Sequence, residues 1–389
     1  MTYDTEIEEF HADQLLEEIK SENPRVRSAA AERMGVLRIG LGALQIATSD
    51  RNSYVRAAAA EALGAFKREE AALYLGDLLF DTNPFVRSAA IRSLGRIGAT
   101  EYAGTIAEVL EDSNPHIRAA AMRALSELHA PESADVLADA LQDSHRKIRL
   151  DAARGLRHVA DPTTFETMRD SLMEALDNPR RDLPFINTLI QALASAGDEA
   201  QAGPLLVSLI QEAVGCRTVA ARALRQFRYE PSRRTLERSL TDRNPNLRLA
   251  ALQALEAIGI GPSLVSVRTL LDDEDSRVQR AACRALVDAG DQQVLPTLRE
   301  MALSPNPFIR PRALEGLIEL DPEGSRDFLL ELITDNNIAV RETAIDALAA
   351  YVDQPSVRQA MQAAHDDELT DRLRAKLAAL LNGTATQSS

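Results

Sequence analysis

The sequence predicts an all-α protein built as a stack of about twelve helix pairs, and three observations predict it. One phrase recurs along the chain: DTNPFVRSAAIRSLGRIG at 81–98, DSNPHIRAAAMRALSELH at 112–129 and DRNPNLRLAALQALEAIG at 242–259. The copies keep a nearly constant step. The 389 residues are 45% hydrophobic but contain no Trp and only 4% aromatics, so a core must come from Ala, Leu, Val and Ile, residues that suit helices more than a mixed aromatic core.

The arginine of the phrase sets the register and is position 0. It stands at Arg27, Arg56, Arg87, Arg118, Arg149, Arg217, Arg248, Arg310, Arg341 and Arg372, with Ile186 and Gln279 holding the frame in two copies. The steps are 29, then 31 three times, then 37, then 31 six times. The long step, between Arg149 and Ile186, surrounds MEALDNPRRDLPF and reads either as a hinge or as a longer loop.

Each element of a copy has its own cause. Asn at −4 followed by Pro at −3, as in Asn83-Pro84, Asn114-Pro115, Asn244-Pro245 and Asn306-Pro307, is a helix start. Asn accepts from the unpaired N–H groups of a first turn, and Pro at the first helical position gives up nothing. Apolar residues at −1, +3, +6, +7 and +10 then fall on one side of a helix. Gly98 and Gly259, at +11, suit its end. A second amphipathic stretch precedes each start, as in PESADVLADALQD at 131–143. Neither helix can bury its face alone, whereas stacked copies can.

The pattern D-x-N-P-x-V-R-x-A-A-x-x-A-L-x-x-L-G, clearest at Asp81 to Gly98, resembles the HEAT repeat, in particular its short bacterial, phycobilisome-lyase-type form. The resemblance runs from about Leu15 to Leu381. It implies a right-handed α-solenoid over 15–381, between an N-terminal extension at 1–14 and a disordered tail at 382–389. It also implies that the second helix of each pair lines a concave surface.

Asp recurs at −6: Asp50, Asp81, Asp112, Asp143, Asp242, Asp273, Asp335 and Asp366. The anchor arginine lies at the edge of the apolar face, within reach of such an Asp in its own copy or the next. A ladder of charge-assisted bonds between turns is one reading and a row of ligand-binding charges the other. A pair repeated throughout the chain favours the ladder.

The surface opposite the apolar side is expected at +1, +5, +8 and +12. Down the array, +5 reads Glu32, Glu61, Arg92, Arg123, Arg154, Gln191, Arg222, Gln253, Arg284, Glu315 and Asp346. Arg157 and Arg225 add to it at +8, Arg280 at +1, and Arg96 and His158 lie beside it at +9. Residues 217–248 hold nine arginines against three acids, although the whole chain carries −15. The row reads either as solvated arginines paired with neighbouring acids or as a groove for an acidic or phosphorylated segment, since guanidinium forks match carboxylate and phosphate. Leu150 and Leu249, at +1, could add apolar contact. Tyr54, Phe85 and Phe308, at −2, either cap the joint between copies or anchor a partner.

No chemistry-bearing motif appears. The histidines are scattered, with no H-E-x-x-H or repeated His-Glu pairs such as a HEAT-like di-iron hydroxylase needs, and there is no phosphate loop or G-x-S-x-G. Cys216 and Cys283 sit in apolar helical patterns as buried thiols rather than a disulfide. No metal, cofactor or small-molecule substrate is implied. The acidic, amphipathic opening and the lack of a long apolar run point to a cytoplasmic protein that does not enter a membrane. The expected function is a non-catalytic scaffold for protein partners, with Arg92, Arg96, Arg123, Arg154, Arg157, Arg222, Arg225, Arg280, Leu150 and Leu249 as the contact residues. The alternatives are a bilin lyase or isomerase subunit, which the family resemblance invites, and nucleic-acid binding in the basic row. The acidic balance and the absence of Trp weigh against nucleic acid.

Overall fold

The computed structural model describes residues 12–66, 69–212, 215–367 and 370–383. The expected extension 1–14 and tail 382–389 therefore fall largely outside the described residues. Among those described, every regular element is helical. The second helices of the twelve copies are α1 (Pro24–Leu37), α2 (Ser53–Leu63), α3 (Pro84–Ile97), α4 (Pro115–Leu128), α5 (Arg146–Val159), α6 (Leu183–Ala196), α7 (Arg217–Leu224), α8 (Pro245–Ile258), α9 (Ser276–Asp288), α10 (Arg310–Leu320), α11 (Ile338–Leu348) and α12 (Asp371–Gly383). In most copies the first helix is the shorter and often begins and ends in single 3₁₀ turns, as around Ala103–Glu108, but Glu199–Glu212 is longer than the Arg217–Leu224 helix that follows it. Shortening one helix of the two lets a pair fit within 31 residues.

The chain divides into two compact units, 1–223 and 224–389. In the first, α1 through α6 pack successively, each against the next; in the second, α8 through α11 do the same. Each unit is thus an α-solenoid in which contacts run between neighbouring copies. The cores are rows of Ala and Leu from the predicted positions, such as Val86, Ala90 and Leu94 in α3 and Leu247, Ala251 and Leu255 in α8, all buried.

The Asn-Pro starts form as the sequence predicts. The Asn83 side chain accepts from the N–H of Phe85 at 2.9 Å and Asn114 from that of His116 at 2.9 Å, with Pro opening both helices. Gly98 closes α3 in the left-handed region, at φ 72°. The start at Asn306-Pro307 differs. Asn306 still caps Phe308, but regular helix begins only at Arg310. Pro311 has no N–H to give the carbonyl of Pro307, and that carbonyl accepts instead from the side-chain amide of Asn337 in the next copy, at 3.2 Å.

Position +8 departs from its expected place on the free face. In α1 and α3 it is a buried glycine turned onto the next helix. A Cβ on Gly35 would lie 2.6 Å from the Cα of Ala62, and one on Gly95 would lie 2.9 Å from the Cα of Ala124. Between α4 and α5 the small residue changes sides: a Cβ on Gly155, at +6, would meet the Ser126 hydroxyl at 2.8 Å. Successive helices therefore touch where +8 of one meets +6 of the next. Position +12 is also buried, at Ala99 and Ala130.

In the long step, the first helix runs Phe165–Asp177 and the chain then crosses 178–182 to the Asp182 cap of α6. The extra residues lengthen the first helix as well as the loop.

Candidate functional site

The anchor arginines are consumed by the fold. Arg56 sends Nε and Nη2 to the carboxylate of Asp81 in the next copy, at 2.7 and 2.9 Å, and Nη1 to the carbonyl of Asp50 in its own turn, at 2.9 Å. Arg27 grips Asp50 and Arg248 grips Asp273 with the same two-pronged geometry. Arg87–Asp112, Arg118–Asp143 and Arg310–Asp335 continue the series. Each carboxylate also accepts the backbone N–H two residues on, as Asp81 does from Asn83 at 2.8 Å; that residue is His145 after Asp143 and Asp275 after Asp273. One Arg–Asp pair thus joins two turns and fixes the cap of the following helix. This is the ladder, and between the two reaches open to the arginine, the carboxylate comes from the next copy and the carbonyl from its own.

The paired arginine holds the carboxyls of Asp50 and Asp81 below their ordinary value of 3.8. At Asp112 the Asn114 N–H contributes most. At α9 the cap Asp275, gripped by Arg277, is lowered to about 2. A carboxyl depressed in the folded state stabilises fully above its unfolded value, and that stabilisation is lost as pH falls through the folded value. Melting temperature is therefore expected to hold steady from neutrality to about pH 5 and to fall between about pH 4 and about pH 2. A pH series of thermal melts checks this, and a decline beginning near pH 6 would be inconsistent with carboxylate rungs.

What the ladder leaves unused lies on the other side of the second helices. Arg123, Arg154, Arg157 and Arg222 in the first unit and Arg225, Arg280 and Arg284 in the second are exposed, while Leu150 and Leu249 are half-buried. Several of these cations are paired. Arg92 and Arg96 both meet Glu61, Arg154 meets Asp151 at 3.0 Å, and Arg284 meets Glu256 at 3.3 Å. Arg280 donates to the carbonyl of Ser276 at 3.3 Å. Arg123, Arg157, Arg222 and Arg225 have no ion-pair or hydrogen-bond partner among the described residues.

Two depressions shape this face in the first unit. A groove of about 790 Å³ crosses α1, α2 and α3, and is lined by Tyr54 and Phe85 together with Glu32, Glu61 and Arg92. Tyr54 and Phe85 are 74% and 73% exposed, and Phe308 in the second unit is 71% exposed. These rings do not cap the joint between copies; they stand in solvent. The spacing contains the signal: −2 and +5 are seven residues apart, nearly two helical turns, so the aromatic column and the +5 column share one face. A smaller crevice of about 180 Å³ follows between α3 and α4, where Arg92, Arg96 and Arg123 converge over Ala120 and Ala124, with Glu127 at the rim. The free face is thus −2, +5 and +9 with the half-buried +1 beside them; +2 is buried at Ala58, Ala89, Asp151 and Ala250, and +8 is turned to the neighbouring helix wherever it is glycine.

The same face offers little to a catalyst. His158 stacks on His129 with ring centroids 4.0 Å apart, and burial, with His129 and Arg157 adding to it, pushes its pKa down, so it brings no charge to the row at neutral pH. Both cysteines are buried free thiols, and burial pushes Cys283 up to about 11, far from a nucleophile's range. Among the described residues, no three His, Cys, Asp or Glu side chains converge to hold a metal ion, and no helix is long and apolar enough to cross a membrane.

The profile of HEAT repeats matches residues 40–107, 89–157, 103–184, 239–318, 265–335 and 304–382. The chain belongs to the HEAT repeat family. The match is to HEAT repeats in general and does not reach the narrower phycobilisome-lyase type. No curated protein matches the chain by sequence. Among solved structures, this HEAT array is similar in fold to the karyopherin Kap121p bound to the extreme C-terminus of the protein phosphatase Cdc14p, at 16% identity over 96% of this chain and 50% of that one, with a TM-score of 0.57. It is similar to Kap121p bound to RanGTP, at 16% identity over 98% of this chain and 51% of that one, with a TM-score of 0.53. An engineered protein covers 90% of this chain and 99% of its own, at 20% identity and a TM-score of 0.50. The HEAT array spans about half the length of the Kap121p chain.

Proposed function

We propose that this HEAT array is a non-catalytic scaffold that holds an acidic or phosphorylated segment of a protein partner along the concave face of its second helices. One observation supports this most: in an acidic chain, whose anchor arginines are largely spent on structure, Arg123, Arg157, Arg222 and Arg225 are exposed with no partner among the described residues. A charge kept where it stabilises nothing in its own fold is available to a ligand, and guanidinium forks favour carboxylate or phosphate. In the first unit the segment would set apolar side chains against Tyr54 and Phe85 and carboxylates against Arg123, Arg154 and Arg157, with Arg92 and Arg96 at the crevice and Leu150 beside them. In the second unit Arg225, Arg280 and Leu249 would serve in the same way. Kap121p, similar in fold, has been solved bound to the extreme C-terminus of another protein.

The test reverses Arg123, Arg157 and Arg222, none of which has a partner among the described residues, to Glu together. These side chains are exposed, so the melting temperature is expected to stay within a few degrees of the parent. Partners captured by the parent protein should be lost, since three reversed charges face an acidic segment. Retention of the same partners by the folded variant would remove this face as the binding site.

A further inference from the structure

The ladder follows a rule along the chain that one copy breaks. Where the next copy offers Asp at −6, the anchor is Arg, from Arg27 and Asp50 through Arg341 and Asp366. Where the next copy has lost that Asp, the anchor has lost its Arg: Ile186 precedes Gln211, and Gln279 precedes Ser304. The exception is Arg149. Six residues before its successor Ile186 stands Arg180, so Arg149 remains although its carboxylate has been replaced by a second cation. The structure shows the consequence. Arg149 keeps its bonds to its own turn, donating through Nη1 to the carbonyls of Asp143 and Ser144 at 2.8 and 3.2 Å. Its guanidinium carbon stands 5.9 Å from the centre of the Phe185 ring, and among the described residues no carboxylate hydrogen-bonds to it, although Asp182, gripped by Arg146, lies close enough to feel its charge. Around it lies a cavity of about 300 Å³, lined by Arg149, Arg180, Ser144, Ser171, Asn178 and Phe185. Three acids also border the cavity, but Asp143 is held by Arg118 at 3.7 Å and Asp182 by Arg146 at 2.5 Å, while Glu174 has no cation of its own among the described residues.

We propose that this vacated rung is an oxyanion-binding site: Arg149 and Arg180 take a carboxylate or phosphoryl group from outside the chain in the place of the missing Asp. The ring of Phe185 lies within cation–π reach of the guanidinium, and a fork already bound through one nitrogen keeps its remaining N–H groups for a planar or tetrahedral oxyanion. The amide of Asn178 and the hydroxyl of Ser144 can complete the shell. The site lies at the turn edge, apart from the +5 row, and does not depend on it.

The test uses the full chain with two variants and three probes. Arg149→Gln installs the residue that already serves as an anchor at Gln279, whose amide donates to the Leu271 carbonyl. Arg180→Asp restores the missing carboxylate. The probes are inorganic phosphate, followed by thermal shift, and two labelled nonapeptides, one with a central phosphoserine and one with a run of Glu, followed by anisotropy. The parent is expected to bind at least one probe saturably, and both variants to weaken that binding at least tenfold. Arg149→Gln should leave the unliganded melting temperature within about 2 °C, while Arg180→Asp should raise it by closing the rung. A response to phosphate alone assigns a free anion, to the phosphopeptide a phosphorylated partner, and to the Glu peptide an acidic one. The proposal is overturned if no probe binds the parent, if both variants bind as the parent does, or if Arg149→Gln lowers the melting temperature as much as Arg56→Gln does, which would make Arg149 an ordinary structural rung.

Discussion

Replacing Arg248 by Ala is expected to destabilise the second unit by about 3 kcal/mol, a large fraction of what a repeat array of this kind can lose locally. The side chains of Arg248 and Asp273 are 7% and 5% exposed, and both N–H···O contacts are 2.6 Å. Removing the arginine leaves the Asp273 carboxylate buried without its cation, which costs far more than the pair gains when intact. It also frees the carbonyl of Asp242, which Arg248 holds at 2.8 Å. In a nearest-neighbour stack the damage falls on the joint between α8 and α9, so urea unfolding should lose cooperativity as well as midpoint. A shift below 1 kcal/mol would mean the rung is no better than a surface salt bridge.

The second large effect comes from the smallest side chain. Gly95→Leu is expected to cost about 2 kcal/mol in the first unit, because the gain of about 1 kcal/mol in helix propensity is outweighed by overpacking of up to about 3 kcal/mol. The clash is with backbone: a Cβ there falls 2.9 Å from the Cα of Ala124, so α3 and α4 must separate. The conservative pair Gly95→Ala with Ala124→Gly moves the small residue to the other helix, as the chain itself does at Ser126 and Gly155, and is expected to be close to neutral by chemical denaturation. If Gly95→Leu were as stable as the parent, the close approach of the second helices would not be what sets the spacing of copies.

Most of the fold was legible in the sequence because the apolar pattern recurs in twelve copies, seven of them with Asn at −4, and a pattern repeated so often overrides the ambiguity of any single copy. Asn83-Pro84 and Asn114-Pro115 open helices where the spacing predicts. The start at Asn306-Pro307 slipped because Pro311 silences a first-turn bond, a local effect that repeat averaging hides. The direction of the ladder was not legible. Asp50 lies six residues before Arg56 and Asp81 lies 25 after it, and only packing shows that the carboxylate comes from the later turn and the carbonyl from the earlier one. The free face is narrower than angular position predicts, since +12 is buried at Ala99 and Ala130 and +8 is buried where it is glycine. Angular position alone places +8 opposite the core, but the crossing of successive helices buries Gly35 and Gly95 there. The groove beside Tyr54 and Phe85 was present as a seven-residue offset from the +5 column. An aromatic at a helix mouth can equally cap a joint or face solvent, and only packing decides between the two.

The rungs join successive copies, and a double-mutant cycle on Arg248 and Asp273 tests that most directly. Arg248→Ala, Asp273→Ala and the double variant are to be compared by urea unfolding. The double variant should be less destabilised than the sum of the singles, with a coupling of about 2 kcal/mol, because removing both partners leaves no buried charge behind. Strictly additive losses would contradict the ladder.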